Sequence, residues 1–285
     1  MKTKIFNLVR FILFKNKFCE VILYHLTNEK SLESWWARLP ANYYQYSKGA
    51  IRNVERNGLT YCLDISDYME WVIFFGIKTE PREALYGLIS NSKVIFDVGA
   101  NIGETTLNIA KLCNIDCFLH SFEPDKYCFE KLKNNVGLNS FKNIKLNPFG
   151  LGEKEADYLL ITPTKDNRGG NRIVLNSHEK PNIHIKRLDD YINQNNINKV
   201  DLIKIDVEGF ELKVLKGGEN CIEMHRPRLF IEVNDSNLKQ QGNSAEELIK
   251  FLELYYSNLK HAETGESINS NINLINKHFD LIAIN

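Results

Sequence analysis

Residues 94–111 read VIFDVGANIGETTLNIAK: an apolar run ending on Asp97, a short loop holding Gly99 and Gly103, then apolar residues at helical spacing. A strand that enters a helix through a glycine loop is the opening unit of a doubly wound α/β sheet. Such a sheet binds ligands outside the carboxyl ends of its strands, where the strand order switches. The sequence after residue 90 keeps this rhythm. It predicts strands at Val94–Asp97, Cys117–Phe122, Ile144–Phe149, Leu202–Asp206 and Leu229–Val233, and helices at Gly103–Leu112, Asp125–Val136, Phe210–Lys216 and Ala245–Tyr256. Apolar strands alternating with amphipathic helices give a mostly parallel sheet covered on both faces. The expected organisation is an N-terminal segment, residues 1–89, and an α/β domain, residues 90–285.

Composition mainly excludes. With 36 basic and 36 acidic residues the formal net charge is zero, so a nucleic-acid partner would need a local patch, and none is expected. Cys113 and Cys117 form a C-x3-C without a second pair or nearby histidines at zinc spacing. Together with Cys19, Cys62, Cys128 and Cys221 they read as free thiols of a reducing cytoplasm. The opening MKTKIFNLVRFILFKNKFCEVILYHL is apolar and basic, yet Arg10, Lys15 and Lys17 cut it well below the ~20 residues of a membrane span, and no signal-peptide cleavage site follows. An amphipathic helix packed on the protein's own core or on a second subunit is the favoured reading. A peripheral contact of residues 1–25 with the inner face of a membrane is the alternative. Between residues 27 and 89 the chain is rich in aromatics. LTYCLDI beside the Asn57-Gly58 turn predicts a hairpin, and Trp35, Trp36, Tyr43, Tyr44 and Tyr46 predict a small aromatic core in preference to a sugar-stacking surface.

The glycine loop narrows the ligand. A dinucleotide fingerprint reads G-x-G-x-x-G, whereas this loop has Asn101 at the middle glycine. Asp97, ending the strand, repels a phosphate and attracts an ammonium. Glu123 follows the second strand, at the distance along the chain from Gly103 at which an acid reaches ribose hydroxyls. Two acids and a glycine loop suit a nucleoside that carries an amino group and no phosphate, such as S-adenosylmethionine.

The segments VIFDVGANIGETTLNIAK, SFEPDKYCFEKLKNN, LNPFGLGEKE, IKRLDDYI, DLIKIDVEGFELKVLKGG and LFIEVN, in this order, resemble the FkbM-type branch of the class I S-adenosylmethionine-dependent methyltransferases. The likeness is strong over roughly residues 90–235. It implies a Rossmann-like, seven-stranded fold closed by the strand HFDLIAIN, and methyl transfer to a hydroxyl of a sugar or secondary metabolite. By position it implies that Asp97, Gly99, Asn101 and Gly103 hold the methionine end, Glu123 the ribose, and Phe149 and Gly150 the border of the adenine. Pro148 and Phe149 replace the small residues expected at that last turn.

A sugar hydroxyl is a weak acid, so the site needs a base or a cation beside the oxygen. In LIKIDVEG, period two sets Lys204 and Asp206 on one face of a strand, with Glu208 just beyond its end. Asp206 is the candidate base and Lys204 the second base or the alkoxide's partner. Glu208, Glu232 and Asn234 border the same cleft, and Glu208 alternatively caps the helix that opens at Phe210. A divalent cation held by Asp206, Glu208 and Glu232 is the less favoured reading. The polar stretch between the third and fourth core strands offers Arg168, Asn171, Arg172 and His178 as donors to an acceptor, small molecule or glycan. His184 and His225 read as structural. The competing readings are a nucleotide-sugar or NAD-dependent enzyme on a similar sheet, and a cofactor-binding module without turnover.

Overall fold

The computed structural model describes residues 10, 16–78, 82–163, 167–175 and 177–285. Most of the basic, apolar stretch before Asn16 therefore lies outside the described residues. The chain divides into two compact units, residues 1–81 with 137–139 and 162–170, and residues 82–136, 140–161 and 171–285.

In the first unit, helix α1 (Lys17–Thr27) starts at Asn16, whose side chain accepts the Phe18 N–H. Strands β1 (Ile51–Arg56) and β2 (Leu59–Asp64) form the expected hairpin. Asn57 and Gly58 take φ of 51° and 69°, as a two-residue turn of this hand requires. Helix α2 (Tyr68–Phe74) is capped by Asp67, which accepts the N–H groups of Met69 and Glu70. Tyr46, Tyr61, Trp71, Phe74 and Phe75 fill the interior, and the Trp71 indole N–H donates to the Ala41 carbonyl at 2.8 Å. Trp35 and Tyr44, by contrast, are exposed.

The second unit runs α3 (Glu83–Gly87), β3 (Val94–Val98), α4 (Glu104–Leu112), β4 (Phe118–Phe122), α5 (Lys126–Gly137) and β5 (Ile144–Asn147). Next come β6 (Gly150–Gly152), β7 (Ala156–Ile161), β8 (Arg172–Val174), β9 (Ile183–Arg187) and α6 (Leu188–Gln194). The chain continues through β10 (Leu202–Ile205), α7 (Glu211–Gly217), α8 (Glu219–His225), β11 (Arg228–Asn234), α9 (Asp235–Gln240), α10 (Ala245–Glu253), β12 (Asn258–His261) and β13 (His278–Ile284). Seven strands form the main sheet in the order β12-β13-β11-β10-β3-β4-β5, with β13 antiparallel to both of its neighbours and the other pairs parallel. This is the doubly wound sheet that the sequence implied, closed by the expected last strand. From β3 the chain builds outward to β4 and β5, then returns to β10 on the other side. The switch point therefore lies between β3 and β10.

Both faces are dry. Ile95, Leu119, Leu202 and Phe230 pack against Leu85, Ile89 and Ile109 on one side. Phe96, Val98, Phe122, Ile203, Ile205 and Ile231 meet Leu188, Leu212, Leu215, Leu248 and Leu252 on the other. That double burial is why these strands read as continuous apolar runs.

Two expectations change. The strand expected over Ile144–Phe149 stops at Asn147, because Pro148 has no N–H to extend the ladder, and the chain resumes at Gly150 in a second sheet ordered β6-β9-β7-β8. The polar stretch expected as one long loop contains β8, paired antiparallel with β7, because Ile173 buries itself with Ile183, Ile185 and Phe210.

Helix α7 sits tight against β6: a Cβ on Gly217 would come within 1.9 Å of the Gly152 carbonyl oxygen, whereas one on Gly87 meets open space. Gly217→Ala is expected to cost roughly 1–3 kcal/mol in urea unfolding by overpacking. Gly87→Ala, in a helix, is expected to be neutral or to stabilise by about 0.5–1 kcal/mol. Equal stability of the two variants would contradict this contact.

Candidate functional site

At the switch point a buried cation ties the strand ends together. The register pairs Asp97 of β3 with Lys204 of β10 on one side and Ser121 of β4 on the other, so the three side chains share a face. The Lys204 ammonium donates to the Gly99 carbonyl at 2.9 Å and lies 3.3 Å from Asp97 Oδ1 and 3.5 Å from Asp206 Oδ2. Burial alone would lower its pKa, but attraction by Asp206 and Asp97 outweighs that and leaves it raised, so Lys204 is held as a cation. The other Asp97 oxygen accepts the Thr106 hydroxyl at 2.6 Å. Asp97 is completely buried, which corrects its expected position at an open crevice: its charge faces Lys204 beneath the loop.

Gly99 takes φ 80°, and a Cβ there would come within 1.9 Å of the Asp206 carbonyl oxygen. The glycine thus lets the loop meet the backbone at the end of β10. On the β4 side the N–H groups of Gly99 and Ala100 donate to the Phe122 carbonyl. Glu123 completes the cradle. Its two oxygens accept the N–H groups of Asn101 and Asp125, each at 2.8 Å. Burial pushes its pKa up to about 7 against these bonds.

The turn after β10 has its own clamp. Glu208 takes φ 53°, and its carboxylate accepts the Asn237 side-chain N–H at 2.7 Å. Glu208 is therefore not the cap of the following helix. Phe210 is the N-cap and makes no side-chain cap, while Glu211, the first residue of the helix, reaches back to the turn, where one of its oxygens accepts the N–H groups of Val207 at 3.2 Å and Gly209 at 2.9 Å. The other oxygen is buried without a hydrogen-bond partner, and burial, reinforced by Glu232, pushes the Glu211 pKa up to about 8. Sequence reasoning missed Glu211; the Asp-x-Glu-Gly-x-Glu spacing, with an acid in the first helical turn, was the available signal. It also missed Arg82, which donates to Glu104 and to Thr105 at the start of α4.

The remaining candidates disperse. Glu232 binds His278 at 2.9 Å, Glu208 binds Asn237, and Asp206 faces Lys204, so the three proposed cation ligands turn to separate partners. Among the described residues no cluster is arranged to hold a metal ion. Asn234 caps α9 by accepting the Asn237 N–H. Phe149 packs edge-on to Phe122, with the Lys186 ammonium over its ring at 4.7 Å, and a Cβ on Gly150 would come within 2.5 Å of Ile185 Cδ1. Arg168 belongs to the first unit, where its N–H donates to Asp67; Asn171 and Arg172 belong to the second, where the Arg172 guanidinium donates to Gln240. His178 is exposed. Next to Glu123, a cavity of about 690 Å³ opens between Pro124, Phe129, Pro148, Ile183 and His184. His184 stands on its wall, with Asp157 at 2.7 Å and Glu155 at 3.1 Å from its two ring nitrogens.

The Glu211 carboxyl gives a signed pH prediction. Its folded pKa lies above its unfolded value, so the folded state holds the proton more tightly and stability falls as pH rises from about 4.5 to about 8. Glu211→Gln removes that contribution. In urea unfolding the variant should gain on the wild type between pH 5 and pH 8 and gain no more above it. A constant difference across that range would show that Glu211 ionises normally.

Residues 97–260 match the model of the methyltransferase FkbM domain, a span of more than half the chain. The hexuronic acid methyltransferase AglP of Haloferax volcanii is 30% identical over 132 residues, 46% of this chain and 52% of that protein. Methyltransferase 1 of Beauveria bassiana is 27% identical over 144 residues, 43% of this chain and 57% of that protein, so the chain spans little more than half the length of these curated relatives. Among solved structures, the FkbM methyltransferase of Methylobacillus flagellatus shares 19% identity over 76% of this chain and 55% of its own, with a TM-score of 0.43. A Streptococcus mutans protein in complex with S-adenosylhomocysteine shares 12% over 72% of this chain and 98% of its own, with a TM-score of 0.42. On the span of the domain match, the chain belongs to the FkbM methyltransferase family.

Proposed function

We propose that the protein is an S-adenosylmethionine-dependent O-methyltransferase whose acceptor is a sugar hydroxyl in a glycan or glycosylated metabolite. Family membership supports methyl transfer, and the observation that carries the donor's identity is Glu123. A carboxylate offers about four acceptor positions, and backbone N–H groups occupy two of them. The rest suit the two hydroxyls of a ribose. Its neighbours Pro124 and Pro148 line the adjoining cavity, which suits the adenine, with Phe149 and Gly150 at its border. The Gly99–Gly103 loop, with Asn101 in its centre, takes the methionine end. Asp97 acts there through Lys204 and Thr106, as the support of the loop rather than as the direct ligand of the ammonium.

When bound, S-adenosylmethionine supplies a methyl group on a sulfonium, a leaving group that needs no proton. The protein's work is then to align the acceptor and to remove its hydroxyl proton. Asp206 is our base, because it directly follows β10, its N–H bonded to the Val98 carbonyl beside the loop, and is only half-buried. Lys204 steadies its carboxylate from below. Glu208 and Glu232 border the acceptor position. Within the same unit, Asn171 and Arg172 remain candidates for acceptor binding on their donor chemistry alone. The hexuronic acid relative makes a uronic acid glycoside the first acceptor to try, and arginine forks suit its carboxylate. We place the enzyme in the cytoplasm, with residues 1–25 at the inner face of the membrane.

Ribose hydroxyls donate hydrogen bonds and so favour the ionised form of Glu123, whose pKa of about 7 puts that ionisation in reach. Calorimetric affinity for S-adenosylhomocysteine should therefore rise roughly tenfold between pH 6 and pH 8, and Glu123→Gln should bind more weakly with no such rise. A wild-type affinity independent of pH would remove Glu123 from the ribose site. With methyl-labelled donor and a hexuronic acid glycoside, Asp206→Asn should lose at least about 100-fold in turnover while keeping S-adenosylhomocysteine affinity. Equal turnover would exclude Asp206 as the base.

A further inference from the structure

Helix α1 buries only part of its apolar surface. Its inward face sets Leu23 between two polar anchors: Glu20, almost wholly buried, takes two 2.9 Å bonds from the Arg52 guanidinium, and the Thr27 hydroxyl donates to the Phe75 carbonyl at 2.6 Å. Tyr24 lies under the Arg56 guanidinium at 3.7 Å. These contacts fix the helix's rotation, and they leave its apolar stripe in solvent. Phe18 is 73% exposed and Val21 57%, and Ile22 and Leu26 continue the row at helical spacing. Trp35, 58% exposed and tilted against Trp36 with ring centroids 4.0 Å apart, and the exposed Leu32 enlarge the apolar surface of the unit.

Charge tells what covers this face. Before Glu20 the chain carries Lys2, Lys4, Arg10, Lys15 and Lys17 and no acid. Arg10 is buried, and Lys17, at the start of the stripe, is exposed. We propose that the N-terminal unit docks on an anionic lipid bilayer, with Phe18, Val21, Ile22, Leu26 and Trp35 entering the interface and the flanking lysines meeting the headgroups. Apolar side chains inserted at headgroup depth, lysines beside them and a tryptophan at the boundary form the arrangement by which an interfacial helix binds such a surface. The inference rests on the membrane placement proposed above, and it is independent of the acceptor and of the donor site.

The full chain is tested by co-sedimentation with vesicles of phosphatidylcholine alone and with vesicles in which one lipid in three is phosphatidylglycerol. S-adenosylhomocysteine titration serves as the separate check on the donor site. Binding is expected at least tenfold tighter to the anionic vesicles, weakened by high salt, and lost by at least tenfold in Val21→Glu/Ile22→Glu, with donor-site affinity unchanged. Trp35→Ala, which leaves the helix intact, is expected to weaken binding several-fold. The proposal is overturned if wild type stays in the supernatant, if both variants bind as wild type does, or if sedimentation equilibrium shows a dimer that the helix variant dissociates. Failure to bind S-adenosylhomocysteine together with intact vesicle binding would refute the methyl-transfer reading and leave the docking surface standing.

Discussion

The Lys204 ammonium, out of contact with water between Asp97 and Asp206 and beneath the Gly99 carbonyl, is the interaction on which the carboxyl edge of the sheet depends. It joins β3 to β10 across the switch point, where no connecting segment links their ends directly. Burying an ammonium is costly unless carboxylates and carbonyls surround it, and removing one partner of such a group typically costs about 3–5 kcal/mol. The same cation holds the Gly99 carbonyl of the loop and pairs with Asp206, so donor and acceptor halves of the proposed site share one support.

Carboxylates that accept backbone N–H groups do the rest of the shaping. Glu123 holds the loop to the end of β4, and Glu211 holds the turn that carries Glu208. Burial disfavours their charge and raises both pKa values, against the pull of those hydrogen bonds. A loop organised in this way keeps its N–H groups pointed and its shape fixed before a ligand arrives, which lowers the ordering cost of binding.

Much of this was legible. Hydrophobic runs at strand length, glycine punctuation and helical periodicity gave the five parallel core strands, because strands buried on both faces must be apolar throughout. The hairpin was written in Asn57-Gly58. What escaped was decided by three-dimensional neighbours. Asp97 looked like an open acid because its position at a strand end says nothing of Lys204, which lies beyond two further strands of the main sheet and the four strands of the second sheet along the chain. Glu208 looked like a cap because an acid before a helix suits its N-terminus; its carboxylate instead takes the bond from Asn237, and the helix starts without a side-chain cap. Phe149 depended on Pro148, whose missing N–H ended β5 early. The outward stripe of α1 was hidden for the same reason: periodicity shows that a helix is amphipathic, and only packing shows which side faces in.

The most direct measurement is amide hydrogen exchange of the protein with and without saturating S-adenosylhomocysteine. A nucleoside seated between the Gly99–Gly103 loop and Glu123 should slow exchange in peptides covering residues 98–105 and 123–126, with NAD giving no such protection. Protection confined to other segments, or equal protection by NAD, would contradict the site.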